Sequence, residues 1–156
     1  MQNNFSMKKG IILISLFISI TICTKAQEYV NAVGVRLGPG SPAITSGFTI
    51  KHFLNESNAL EGIVGIGNGG LGLCGLYEWH HPIASVTHLQ WFVGAGGYVA
   101  FRNKNSAIGA AGIVGLDYKF DQIPLNISLD WKPELNLIST VGFESNTVGI
   151  SARFIF

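Results

Sequence analysis

The sequence predicts an all-β fold, an eight-stranded antiparallel up-and-down transmembrane β-barrel, and three observations carry that prediction. From Tyr29 to Phe156 the side chains alternate with period two, and turn residues interrupt the alternation every dozen positions or so. Each charged residue inside a predicted strand falls on the face opposite the continuous apolar one. The chain is 47% hydrophobic and only 12% charged, with 20 glycines, so a large apolar surface must be hidden in an oversized core or turned toward lipid.

The first 26 of the 156 residues stand apart from this pattern. Lys8 and Lys9 precede an apolar run from Ile11 to Cys23, followed by Thr24-Lys25-Ala26, the order of a secretory signal peptide with cleavage expected after Ala26. The run falls short of the roughly 20 residues a spanning helix needs. Lipidation at Cys23 is the alternative, but Thr21 and Ile22 are a poor match to the small residues such a site prefers. Cleavage removes Lys8, Lys9 and Lys25, leaving seven basic against nine acidic residues, a net charge of −2. Such a chain offers no nucleic-acid surface. With Cys74 the one cysteine left, no intramolecular disulfide can form.

Residues 27–156 form one barrel domain. Its predicted strands are Tyr29–Leu37, Ile44–Leu54, Leu60–Gly67, Gly70–Trp79, Leu89–Phe101, Ala107–Phe120, Leu125–Lys132 and Thr147–Phe156, most reaching or approaching the 9–11 residues of a tilted spanning strand. The connections carry turn chemistry: Gly38-Pro39-Gly40, Asn55 to Asn58, Asn68-Gly69, His80-His81-Pro82, Arg102 to Asn105 and Asp121 to Pro124. Outer connections are expected at 38–43, 68–69, 102–106 and 133–146, the last long enough for a recognition surface.

The alternation is cleanest in the seventh strand, where Leu125, Ile127, Leu129 and Trp131 oppose Asn126, Ser128, Asp130 and Lys132. A soluble barrel would turn the apolar face inward; a membrane barrel reverses it. The charges Arg36, Lys51, Lys119, Lys132 and Arg153 nearly cancel Glu61, Glu78, Asp117 and Asp130, as a narrow, poorly solvated lumen demands. Glycines such as Gly34, Gly47, Gly96 and Gly115 crowd the same face, which suits a small lumen better than a solvent face. Tyr29, Tyr77, Trp79, Trp91, Tyr118 and Trp131 fall on the apolar face near predicted strand ends, where a membrane barrel carries an aromatic girdle, and Phe154 and Phe156 share that face.

The run Gly75-Leu76-Tyr77-Glu78-Trp79-His80, the stretch Leu89 to Gly97 and above all Gly115 to Pro133 resemble a family of small outer-membrane β-barrel proteins common in Bacteroidetes, similar in build to barrels of the OmpA and OmpX type. The resemblance covers about Leu71 to Phe156. It implies an outer-membrane barrel with both termini in the periplasm, delivered by periplasmic chaperones and barrel-assembly machinery, with Phe154 and Phe156 as the assembly signal. It implies no activity.

The chemistry-bearing motifs reduce to structural roles. Gly65-Ile66-Gly67-Asn68-Gly69-Gly70 satisfies the dinucleotide spacing, but a strand follows where a helix is required. His52, His80, His81 and His88 are expected at the periplasmic rim without convincing ligand spacing, and Cys74 as a small buried filler. Outer Ser41, Ser106, Ser139 and Thr140 have no histidine near them for an acyl-transfer or deacylase site. The expected role is structural or surface-interacting, in a monomer that contacts membrane lipid, needs no cofactor and has a lumen plugged by polar and charged side chains. A minor ion or small-solute channel is the alternative, and a lipid-modifying enzyme comes third.

Overall fold

The computed structural model describes residues 29–38, 46–67, 70–102, 106–138, 142–145 and 147–156. The expected signal peptide, most of the 38–43 connection and the 68–69 turn lie outside them. Among them ten strands form: β1 (Asn31–Leu37), β2 (Ser46–Phe53), β3 (Asn58–Gly67), β4 (Gly70–Pro82), β5 (Leu89–Arg102), β6 (Ala107–Lys119), β7 (Leu125–Trp131), β8 (Glu134–Asn136), β9 (Gly142–Glu144) and β10 (Val148–Ile155). There is no helix among the described residues.

These strands make eight staves of a closed antiparallel up-and-down barrel, because β8 continues β7 and β9 leads into β10. Neighbours in sequence pair in order from β1 to β7, β10 pairs with β7, and β10 returns to β1 with Ala32 opposite Ile155 and Leu37 opposite Ile150. The 54–57, 83–88 and 120–124 connections lie at one end with Tyr29 and Phe156. The first of these is a tight turn in which Asn55 Oδ1 accepts from the backbone amides of Ser57 and Asn58 at 2.9 and 2.8 Å.

Strand extents correct the expectation in two places. The fourth strand continues past Trp79 to Pro82, which takes His80 and His81 out of the turn and into the wall. The seventh does not end at Lys132. Pro133, lacking an amide hydrogen, interrupts it, but its carbonyl accepts from Gly112 at 3.0 Å and the strand resumes as β8 against β6. Residues 134–136 and 142–144 of the expected 133–146 loop are therefore barrel wall.

The alternation resolves into an inside-out distribution. Arg36, Lys51, Glu61, Glu78, Asp117, Asp130, Lys132 and Arg153 all point inward and are buried. Phe48 and Ile66 on the outer surface are 70% and 75% exposed, and the belt of Val33, Val35, Ile50, Leu73, Val93, Val114, Leu116, Leu129 and Ile150 continues around the barrel. Folding a chain in water does the reverse.

Large inward side chains fit because glycines face them. A Cβ on Gly115 would lie 2.7 Å from the Phe92 ring and one on Gly109 2.6 Å from that of Tyr98, while at Gly149 it would strike the Arg36 guanidinium. The lumen is also less polar than expected. Ile63, Cys74, Leu76, Phe92, Tyr98, Ala100, Ala107, Ala111 and Ile113 form an apolar cluster on β3–β6, so hydrocarbon shares the interior with the charges.

The outward aromatics gather at one end. Tyr77 with Trp79, His81 with Trp91, Tyr118 with Phe120 and Phe154 with Phe156 form ring pairs at centroid separations of 4.5–6.4 Å around the turn end. Two expected members are elsewhere. Trp131 stands mid-wall, opposite Val114 and Val148, because its stave continues beyond it. Tyr29 precedes β1 and turns into the mouth of the lumen, edge-on to Phe53 at 5.2 Å.

Candidate functional site

The barrel interior brings together residues from every stave. At its centre Lys51, fully buried, sets its Nζ 2.8 Å from Glu78 Oε2 and 3.5 Å from both Glu61 Oε2 and Asp117 Oδ2. The Lys51–Glu61 pair is a direct cross-strand register pair of β2 and β3, so parity puts both on the inward face and the hairpin register sets them opposite each other. The same ammonium lies 4.6 Å from the Phe92 ring centroid, where charges and hydrocarbon meet.

Arg153 supplies the second cation. It donates to Glu61, to Ser128 Oγ at 2.8 Å, and to Asn126 Oδ1 and Thr49 Oγ1 at 3.3 Å each. Thr49 in turn donates to Glu61. Asn126 Nδ2 donates to Asp117 Oδ1 and to the Tyr29 hydroxyl, the latter at 3.3 Å. Such wide satisfaction is what a buried guanidinium requires, since desolvation otherwise outweighs the pairing. Burial, and after it the Asp117 carboxylate, holds the Tyr29 phenol above its ordinary pKa, so it remains neutral at the mouth.

Toward the other end the network repeats in simpler form. Arg36 donates to Asp130 and Lys132 to Glu134, and the Thr147 hydroxyl donates to the Lys132 carbonyl. These pairs are local, one cation to one carboxylate, whereas the inner group shares Lys51 among three.

Every predicted lumen charge faces the interior, but Lys119 differs from the rest. It is only half-buried at the mouth, with its Nζ 5.4 Å from the Tyr29 ring centroid. Two members of the network were not expected. Glu134 falls in the stretch expected to be a loop, although it shares the parity of Lys132 and Asp130 and that signal extends through Pro133. His80, expected at the rim, is buried with Nε2 2.9 Å from Glu78 Oε2 and its ring stacked on Phe92 at 4.9 Å; it shares the parity of Glu78. The other histidines disperse: His52 bonds Asn31, His81 stacks on Trp91, and His88 pairs with Asp121 at 3.0 Å. Among the described residues no group of three or more His, Cys, Asp or Glu is placed to hold a metal ion. Cys74 is buried in the apolar cluster, where burial fits the filler role.

Several inward atoms lack hydrogen-bond partners among the described residues: Glu78 Oε1, His80 Nδ1, Asp117 Oδ2, Arg36 Nε and Ser151 Oγ. They lie among the lumen charges, and none adjoins a hydroxyl or thiol nucleophile in a hydrogen bond. The arrangement is that of a packed ionic core. Neither a comparison with protein-family models nor a search of curated proteins gave a match.

Proposed function

We propose that this chain is a small integral outer-membrane barrel of a bacterial envelope, exported by its N-terminal signal, with both termini periplasmic and a structural or surface-interaction role. The carrying observation is the reversal of burial: a continuous exposed apolar belt outside, and an almost fully paired ionic network inside. Exposed apolar surface on this scale is expected to meet lipid or a partner, not water. The turn-end girdle of Tyr77, Trp79, Trp91 and Tyr118 supports the same reading, since such rings favour the headgroup region. In this role the chain works as a monomer contacting membrane lipid, and meets chaperones and assembly machinery on the way, with Phe154 and Phe156 as their recognition end. It needs no cofactor, performs no catalysis and binds no nucleic acid. It belongs with the small Bacteroidetes-type barrels that its second half resembles.

Heat-modifiability tests the proposal. The mature chain, refolded in detergent, should migrate faster on a gel before boiling than after, and should fractionate with outer membranes. Recovery in the soluble fraction without detergent would overturn it.

A further inference from the structure

The mouth of the barrel at the turn end opens into a cavity of about 600 Å³, within the range of small-molecule sites. The ionisable side chains that line it are Tyr29, His52, Glu56, His88, Asp117 and Lys119. Most of them are committed elsewhere. Asp117 is buried and ion-paired with Lys51 at 3.5 Å, and its Oδ1 accepts from Asn126. The Tyr29 hydroxyl accepts from the same Asn126, His52 Nδ1 lies 2.9 Å from Asn31 Oδ1, and His88 Nε2 lies 3.0 Å from Asp121 Oδ1. Glu56 and Lys119 are left, the first exposed and the second half-buried, and neither has an ion-pair partner among the described residues.

These two charges face each other across the mouth. Glu56 stands in the turn that joins β2 to β3 and Lys119 ends β6, so in a ring of eight staves they are nearly diametrically opposed. The way between them is paved with rings. Lys119 Nζ lies 5.4 Å from the Tyr29 centroid, and Tyr29 lies edge-on at 5.2 Å to Phe53, which precedes the Glu56 turn. Those two steps, in a ring of staves about 16 Å across, set the ammonium and the carboxylate on the order of 10 Å apart over an apolar floor flanked by Val30 and Leu54.

A ligand with one charge leaves the other wall unmatched. The ammonium and carboxylate of a free α-amino acid are only about 3 Å apart and cannot meet both walls at once. An extended chain spans at most about 3.3–3.6 Å per residue, so the termini of a tripeptide match the gap. Its side chains then rest on the aromatic floor.

We propose that this mouth binds a short zwitterionic peptide of about three residues with apolar side chains, its terminal ammonium on Glu56, its terminal carboxylate on Lys119 and its side chains on Tyr29 and Phe53. The site lies inside the end of the barrel, and the inference stands independently of what surrounds the outer wall.

Titration calorimetry of the mature barrel, in detergent or in buffer if it proves soluble, tests this with the tripeptide Ala-Phe-Ala as probe. Saturable binding is expected, with the N-acetylated and the C-amidated peptides each about fivefold weaker, since each loses one ion pair near the surface. Free phenylalanine, which reaches one of the two charges at a time, should bind no better than either blocked peptide. Glu56→Gln should remove the penalty for N-acetylation alone and Lys119→Met the penalty for amidation alone, which reads out the orientation of the peptide. Both variants should keep the β-sheet circular dichroism spectrum, so a folding defect is separable from a binding defect. No saturable response, equal binding of the free and blocked peptides, penalties that neither variant removes, or tighter binding of free phenylalanine than of the tripeptide would overturn the proposal.

Discussion

Lys51 is the residue on which most of the interior depends. One ammonium serves Glu78, Glu61 and Asp117, and removing it takes the lysine partner from Glu78 and Asp117 and leaves Glu61 to Arg153. Lys51→Met should destabilise the barrel by about 3–5 kcal/mol, the range for breaking a buried pair from one side, measured by denaturant unfolding followed through tryptophan fluorescence. Adding Glu78→Gln should recover part of that loss, because the two side chains are coupled. Lys119→Met, at the half-exposed mouth, should change stability by no more than about 0.5 kcal/mol. The inward placement of Lys51 was legible from parity with Thr49 and Gly47. Its partners were not, because register decides which carboxylates meet one ammonium, and period two says nothing about the height of Glu78 on another stave.

At the scale of elements, glycines separate positions that shape the wall from positions that merely occupy it. A Cβ on Gly96 would collide with the carbonyl oxygen of Gly75, whereas one on Gly75 meets nothing within 4 Å. Gly96→Ala should therefore lower stability by about 1–3 kcal/mol, as overpacking does, and Gly75→Ala should leave the thermal midpoint nearly unchanged, both read by circular dichroism during heating. Most strands were legible because their alternation is long and clean. The stave made of β7 and β8 was read short because Pro133 is a proper stop signal in a strand, and only the backbone hydrogen bond to its carbonyl carries the pairing across it. The same stop signal puts Trp131 at an expected strand end and Glu134 in an expected loop, whereas the continued stave places one mid-wall and the other in the lumen. The inward turn of Tyr29 had no signal, since it depends on Asn126 and Phe53 from distant staves.

For the molecule as a whole, the question is what touches the outer wall. Leu129 is half-exposed at mid-height, opposite Leu116 and Ile150. Leu129→Arg should cost about 2–4 kcal/mol when the barrel is refolded in lipid vesicles, as a cation does near a bilayer midplane; a change near zero would mean that this wall meets water. Planar-bilayer recordings of the folded barrel should show no steady conductance, because eight staves leave room for side chains alone and Phe92, Arg153, Lys51 and Lys132 fill that room.

The pairing of β1 with β10 has a consequence for the order of events in folding. Asn31 and Phe156 exchange backbone hydrogen bonds of 2.9 and 3.2 Å, so the seam joins the first and last described strands. Every other stave can pair locally with its neighbour as a hairpin, but this seam closes the longest loop in the described chain and so carries the largest entropic delay. Until it closes, both edges hold rows of unpaired amides and carbonyls that hydrocarbon cannot solvate. In the proposed membrane setting a half-zipped sheet is a poor resident of a bilayer, so there crossing and sealing of the seam would be a single concerted step.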